Sequence, residues 1–221
     1  MAFLGVDLRS SSKHPSAVVA LNHQSEMTYS KSFHTDADLL EIAQYQKPQL
    51  IAIGTPLGLP VGLCCLENTC DCARKIPQRK GRQLEQELAQ MGISCFFTSK
   101  DSIIRKLIYR GIELSDQLRG PGFDVIEVYP YATKVILFGD NVPSKSSADN
   151  LPFMKERLPG LISGLESCIA TLDSHTCDAL INAYTALLHS RNKTDLLGNA
   201  EEGLLALPKL FPPDELLPAR V

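Results

Sequence analysis

The sequence predicts an α/β fold whose mixed sheet, three antiparallel strands followed by parallel ones, is flanked by helices. Three short β-like runs open the chain at hairpin-sized spacing, and apolar runs of strand length then alternate with segments of helical period. With 221 residues, 44% of them hydrophobic, the chain is long enough to close one large core.

The opening runs are 3–8, 16–22 (Ser-Ala-Val-Val-Ala-Leu-Asn) and 27–33 (Met-Thr-Tyr-Ser-Lys-Ser-Phe), and only the first connection, Arg9 to Pro15, exceeds a tight turn. Thr35-Asp-Ala-Asp38 reads as a capping box, and Leu39, Leu40, Ile42 and Ala43 form one apolar face of a helix that ends before Pro48. Gln49-Leu-Ile-Ala-Ile-Gly54 is the apolar run of a strand covered on both faces in a parallel arrangement, and Thr55-Pro-Leu-Gly-Leu-Pro60 stops it. Helical period returns over Lys80–Met91 and Asp101–Leu118, with a short strand expected at Ser94–Phe97 between them. Gly120-Pro-Gly122 ends the second of these helices.

Asp124–Tyr129 is a further apolar strand, broken by Pro130, and a turn or two of helix follows over Ala132–Phe138. Polar turns over Asp140–Asn150 lead to a helix at 152–172, interrupted at Pro159-Gly160, and then to a strongly apolar helix at Thr176–His189. Leu204–Pro208 fits an edge strand. This order of elements is that of a ribonuclease H-like fold. A single such domain over 1–208 is expected, with a Cys-rich and basic insertion at about 61–122 and a Pro-rich tail at 209–221.

Three acids interrupt apolar surroundings. Asp7 closes the first strand, Glu127 sits inside Val-Ile-Glu-Val-Tyr, and Asp178 opens an apolar helix. A carboxylate in such a context needs a compensating partner. In a ribonuclease H-like arrangement strand ends and a late helix meet at one edge, so the three are expected to converge on Mg²⁺ or Mn²⁺. Phosphodiester hydrolysis needs a proton taken from the attacking water and charge neutralised on the leaving oxygen, and a pair of divalent ions addresses both. Two of the acids also have a plainer reading, Asp7 as a cap or salt bridge and Asp178 as a dipole-stabilising residue at a helix start, whereas Glu127, inside its strand, needs a partner or an exposed strand face.

Six segments together resemble the family known as domain of unknown function 429, predicted nucleases of ribonuclease H-like fold. They are Gly5-Val-Asp7-Leu, Ile53-Gly-Thr-Pro56-Leu-Gly-Leu-Pro60, Lys80-Gly-Arg, Gly92-Ile-Ser-Cys95-Phe-Phe97, Glu127-Val-Tyr-Pro130 and Cys177-Asp178-Ala-Leu. The resemblance runs from Phe3 to about Pro208 and implies a metal-dependent site at Asp7, Glu127 and Asp178. One departure stands out: Gly54 occupies the place where the family often carries an acid, and Glu67 or Asp71 in the next loop are the available substitutes.

The net charge of −3 gives no global pull toward nucleic acid, but it is unevenly spread: ten basic and five acidic residues between Arg74 and Arg119 make that segment +5 and the remainder −8. Arg74, Lys75, Arg79, Lys80 and Arg82 form a candidate phosphate track, against the alternative of an ordinary solvated face, and Lys134, seven residues after Glu127, reads as a neutraliser of the carboxylates, a further phosphate contact or a solvated surface lysine. Phe96, Phe97 and Tyr109 are the nearby rings that could stack on bases. No run approaches the roughly 18 apolar residues of a membrane span, and the start lacks the order of a signal peptide, so a cytoplasmic location is expected.

Seven cysteines without a secretion signal read as thiols or metal ligands. Cys64, Cys65, Cys70 and Cys72 fall within nine residues as Cys-Cys-x₄-Cys-x-Cys, a candidate zinc site with His14 as an outside ligand, although the spacing departs from paired zinc knuckles. Cys95, Cys168 and Cys177 read as small core residues. The leading expectation is a nuclease. A catalytically silent nucleic-acid-binding protein, motivated by Gly54, is the alternative, and an actin-like nucleotide-binding protein is the third, disfavoured because no second phosphate-loop strand is present.

Overall fold

The computed structural model describes residues 2–72, 80–100, 102–139 and 141–209. It opens with a meander, β1 (Phe3–Asp7), β2 (Ser16–Leu21) and β3 (Met27–Phe33), in which β1 pairs antiparallel with β2 from Phe3 opposite Leu21 to Asp7 opposite Ala17. Helix α1 (Asp36–Gln46) starts at the predicted capping box: the Thr35 hydroxyl accepts from the Asp38 amide and the Asp38 carboxylate from the Thr35 amide. Strand β4 (Leu50–Ile53) then runs parallel to β1.

Helices α2 (Gln83–Gln90) and α3 (Arg105–Arg119) precede β5 (Val125–Val128), which is parallel to β4. Helices α4 (Pro130–Phe138), α5 (Asn150–Arg157) and α6 (Ser174–Ser190) follow, and β6 (Thr194–Asn199) and β7 (Gly203–Pro208) finish the sheet. The seven strands lie in the order β3-β2-β1-β4-β5-β7-β6. The predicted mixed sheet, three antiparallel strands followed by parallel ones and flanked by helices, is present: β7 runs parallel to β5, and β6 adds an antiparallel strand at the far edge.

Alternation along the pleat divides the core into two layers. Phe3, Val19, Leu21, Leu50, Ala52 and Val128 pack with α6, whereas Leu4, Val6, Val18, Ile51 and Ile53 pack with α1 and α3. Gly5 belongs to the α6 side, and an added Cβ there would lie 2.1 Å from both the Ala179 carbonyl oxygen and the Ala183 nitrogen. Only glycine lets α6 approach β1 this closely, and that approach brings the end of β1 beside the first turns of α6.

Several local expectations are corrected. Ser94–Phe97 forms no strand; the Ser94 carbonyl accepts from the Tyr129 hydroxyl and Thr98 serves Glu85, so these polar groups are spent on side chains. The helix expected over 152–172 stops at Arg157 and gives way to 3-10 turns at Leu158–Gly160 and Ile169–Thr171, because Pro159 and Gly160 cannot sustain it. Strand β7 is internal, since the unexpected β6 takes the edge. The tail from 210 onward lies outside the described residues.

Candidate functional site

The carboxyl edge of the parallel strands opens into a cleft of about 820 Å³ lined by Asp7, Gly54, Arg82, Glu127, Lys134, Lys145, His175 and Asp178, among others. Asp7 continues the Phe3, Gly5 alternation onto the α6 side, and Asp178 stands five residues into α6. Both acids are almost fully buried, at 4% and 1% exposure.

One ammonium group joins them. Lys145 Nζ lies 2.6 Å from Asp178 Oδ2 and 3.1 Å from Asp7 Oδ2, so these oxygens are no farther apart than two hydrogen bonds laid end to end. Burial alone would push the Lys145 ammonium down, but the Asp178 and Asp7 carboxylates outweigh it and hold its pKa above the ordinary value. Of the readings of Lys134, the solvated and phosphate-contacting ones are corrected and the carboxylate-neutralising one is met: it is 1% exposed and donates to Asp178 Oδ1 at 3.0 Å.

His175, one helical turn before Asp178, completes the acidic pair. Its Nδ1 is 2.5 Å from Asp7 Oδ2, and its Nε2 is 2.7 Å from an Arg9 guanidinium nitrogen. Arginine can only donate, so Nε2 accepts and Nδ1 carries the hydrogen given to Asp7. Arg9 and His175 thereby fix one carboxylate oxygen of Asp7.

Glu127 does not join this cluster. Its strand neighbours Ile126 and Val128 pack on the α6 side, so the pleat turns Glu127 to the opposite face of the sheet. There both its oxygens are taken: Arg82 donates to Oε1 at 2.7 Å and to Oε2 at 2.8 Å, and the Leu57 amide donates to Oε2 at 2.7 Å. The expected convergence of three acids is corrected to an Asp7–Asp178 pair on one side of the cleft and a separate Glu127–Arg82 pair on the other.

Arg82 is also corrected from surface track to buried anchor. It is 1% exposed, and its Nε donates to Glu85 Oε1 at 3.0 Å, while Thr98 donates to Glu85 through both its amide and its hydroxyl. Burial opposes the guanidinium charge, but Glu127 and Glu85 together raise its pKa above the ordinary value. Of the other track residues, Lys80 is exposed, with Nζ 4.9 Å from the Phe97 ring centroid; Arg74, Lys75 and Arg79 lie outside the described residues.

Gly54 lines the cleft, and a side chain there has no room unless Asn182 shifts. A Cβ there would come 2.5 Å from Asn182 Nδ2, which is fully buried and donates to the Val6 carbonyl at 2.8 Å. Glu67 does not replace that acid, because it pairs with Arg105 at 3.3 Å and accepts from Tyr109.

Cys64, Cys65, Cys70 and Cys72 bring their sulfur atoms within 4.8 Å of one another, without His14, and among the described residues they are the group of three or more metal-ligating side chains that converges. Cys177 is buried as expected, and burial pushes its thiol up to about 12; Cys95 and Cys168 are only partly buried.

The residues missed by sequence reasoning are Arg9, Lys145, His175, Glu85 and Thr98. His175 carried a signal, since a histidine three residues before an acid on a helix shares its face. Lys145 carried none.

No family model matches the chain, and no curated protein does. The chain is similar to the solved structure of Thermus thermophilus RuvC, at 12% identity and a TM-score of 0.49 over 95% of this chain and 100% of that one. It is also similar to T. thermophilus RuvC in complex with Holliday junction substrate, at 12% identity and a TM-score of 0.47 over 93% and 99% of the two chains.

Proposed function

We propose that this protein is a divalent-cation-dependent phosphodiester hydrolase acting on nucleic acid, and that its sequence motifs make it a member of domain of unknown function 429. The observation that carries the reading is the Lys145 ammonium held between the Asp7 and Asp178 carboxylates. Two hard carboxylates that already share one positive charge fit Mg²⁺ or Mn²⁺ in its place. Lys145 is 43% exposed and belongs to no helix or strand, so it can yield that place, whereas Lys134 on α4 stays fixed on Asp178.

The fit is to a single ion. Arg82 fills the coordination that Glu127 would give to a second, so Asp7 and Asp178 are the proposed ligands and Glu127 the anchor of the opposite wall. A bound ion supplies Lewis acidity and lowers the pKa of water at neutral pH. His175, held by Arg9, orients Asp7. With an ion in its place, Lys145 would stand in the cleft with its ammonium available to a phosphate.

A polynucleotide suits the cleft better than a small phosphoester. Phe96 and Ile103 line it at 57% and 84% exposure, apolar surface on which an unpaired base can lie. The test is cleavage of end-labelled single- and double-stranded DNA and RNA with Mg²⁺, with Mn²⁺ or with chelator. Metal-dependent cleavage by the wild type and its loss in Asp7→Asn are expected. Salt-sensitive binding without cleavage would make the protein a silent nucleic-acid binder, a reading favoured by the basic partner that each of the three acids already has.

A further inference from the structure

The connection from β4 to α2 carries four cysteines within 61–72, a described stretch that holds only turns and bends and a 3-10 pair at its end. Leu66 is its buried apolar anchor, and the Leu66 amide donates to the Tyr109 hydroxyl on α3 at 2.6 Å. Yet the chain folds back so that all four sulfur atoms meet. The four thiols are free, and the 3.5 Å between Cys64 and Cys70 sulfurs is far beyond the roughly 2.05 Å of a disulfide.

That separation suits a different bond. Four thiolates at about 2.3 Å around one tetrahedral ion stand about 3.8 Å from each other, and the observed sulfurs lie within 4.8 Å. A polynuclear iron–sulfur cluster distributes its thiolates around several irons and needs a wider cage. Soft sulfur donors exclude the hard ions suited to Asp7 and Asp178. Lys100 donates to the Cys70 carbonyl oxygen and brings positive charge to the edge of an anionic site.

We propose that Cys64, Cys65, Cys70 and Cys72 bind one structural Zn²⁺. The ion ties Cys64–Cys72 into a closed turn that begins seven residues after Leu57, whose amide donates to Glu127. It takes the place of a hydrophobic core over the described residues 61–72, where Leu66 is the one buried side chain. The site is closed, with four protein ligands, so its role is to hold the loop and not to act on substrate. It stands independently of the hydrolase reading.

The test uses the full chain, made without a metal-binding tag, purified under reducing conditions and dialysed against metal-free buffer. Elemental analysis is expected to find about one zinc per chain. An organomercurial is expected to release that zinc in step with titration of the four thiols. Cobalt(II) added to chelator-stripped wild type should give thiolate charge-transfer and tetrahedral visible bands, a readout that needs no folded variant. The double variant Cys64→Ser, Cys70→Ser should lose zinc at least about tenfold, or about 1.4 kcal/mol of affinity. Reduced wild type that holds no zinc and takes up no cobalt, or full zinc retention by the double variant, would overturn the site.

Discussion

Arg82 grips Glu127 with both arms of its guanidinium, at 2.7 and 2.8 Å, in a wall where neither side chain is more than 5% exposed. A buried pair of this kind is costly to break from one side, because the remaining charge has no water to turn to. Arg82→Ala is therefore expected to destabilise the fold by about 3–5 kcal/mol in urea unfolding, leaving Glu127 and Glu85 unpaired. Arg82→Lys should recover little, since a single ammonium cannot reproduce the fork that spans two carboxylates. Replacing Arg82 and Glu127 together by Met and Leu should cost much less than the sum of the two single losses.

The position of Lys145 predicts competition with metal. Removing its ammonium leaves Asp7 and Asp178 facing each other, with Lys134 and His175 as their remaining side-chain partners among the described residues. Lys145→Ala should melt at lower temperature than the wild type in chelator and show the larger rise on adding Mn²⁺. Equal shifts in the two proteins, read by differential scanning fluorimetry, would mean that the ion binds elsewhere.

The pH dependence of that ammonium has a definite sign. Its folded pKa is raised above the ordinary 10.5, so its contribution to stability is fully present below 10.5 and is lost as pH rises through the higher folded value. The difference in urea midpoint between wild type and Lys145→Met should stay constant from neutral pH to about 10.5 and shrink only above it. Neutral pH cannot expel Lys145 by deprotonation; displacement by a cation is the available route.

The start of α6 offers a second titration, of opposite sign. Asp173 caps the helix by accepting from the Thr176 amide at 2.7 Å. Its partial burial opposes the charge, but that hydrogen bond prevails and lowers its pKa below the ordinary 3.8. Asp173→Ala should cost about 1 kcal/mol at pH 7, and the difference should fade as pH drops below about 3.8. Denaturation curves at several pH values check both statements.

Placing an acid at Gly54, beside the cleft, should cost stability for steric reasons. Gly54→Asp drives a Cβ to within 2.5 Å of Asn182 Nδ2, so a loss of about 1–3 kcal/mol is expected. Adding Asn182→Ala should recover part of it by making room, which a purely electrostatic penalty at Gly54 would not allow.

What the sequence disclosed follows from the range of its signals. The meander, the capping box at Thr35 and the apolar β4 are set by neighbours in the chain, and periodicity reports neighbours. Strand β6, Thr-Asp-Leu-Leu-Gly-Asn, lacks alternation because it is a half-exposed edge held by β7, and so it escaped notice. Asp7 and Asp178 stood out as acids among apolar residues. Glu127 did too, but its face is set by pleat parity relative to α6, which depends on packing. Lys145 sits in a turn-rich polar stretch 138 residues from Asp7, and nothing local marks it. Arg82 looked like its basic neighbours because a buried arginine and a solvated one are spelled alike, and burial of arginine is the rarer case.

The most direct measurement of the central claim is calorimetric titration of Mn²⁺ into wild type, Asp7→Asn and Asp178→Asn at neutral pH. The Lys145-bridged pair predicts about one ion per wild-type chain and at least a tenfold loss of affinity, about 1.4 kcal/mol, in each variant. Unchanged Mn²⁺ affinity in both variants would contradict it.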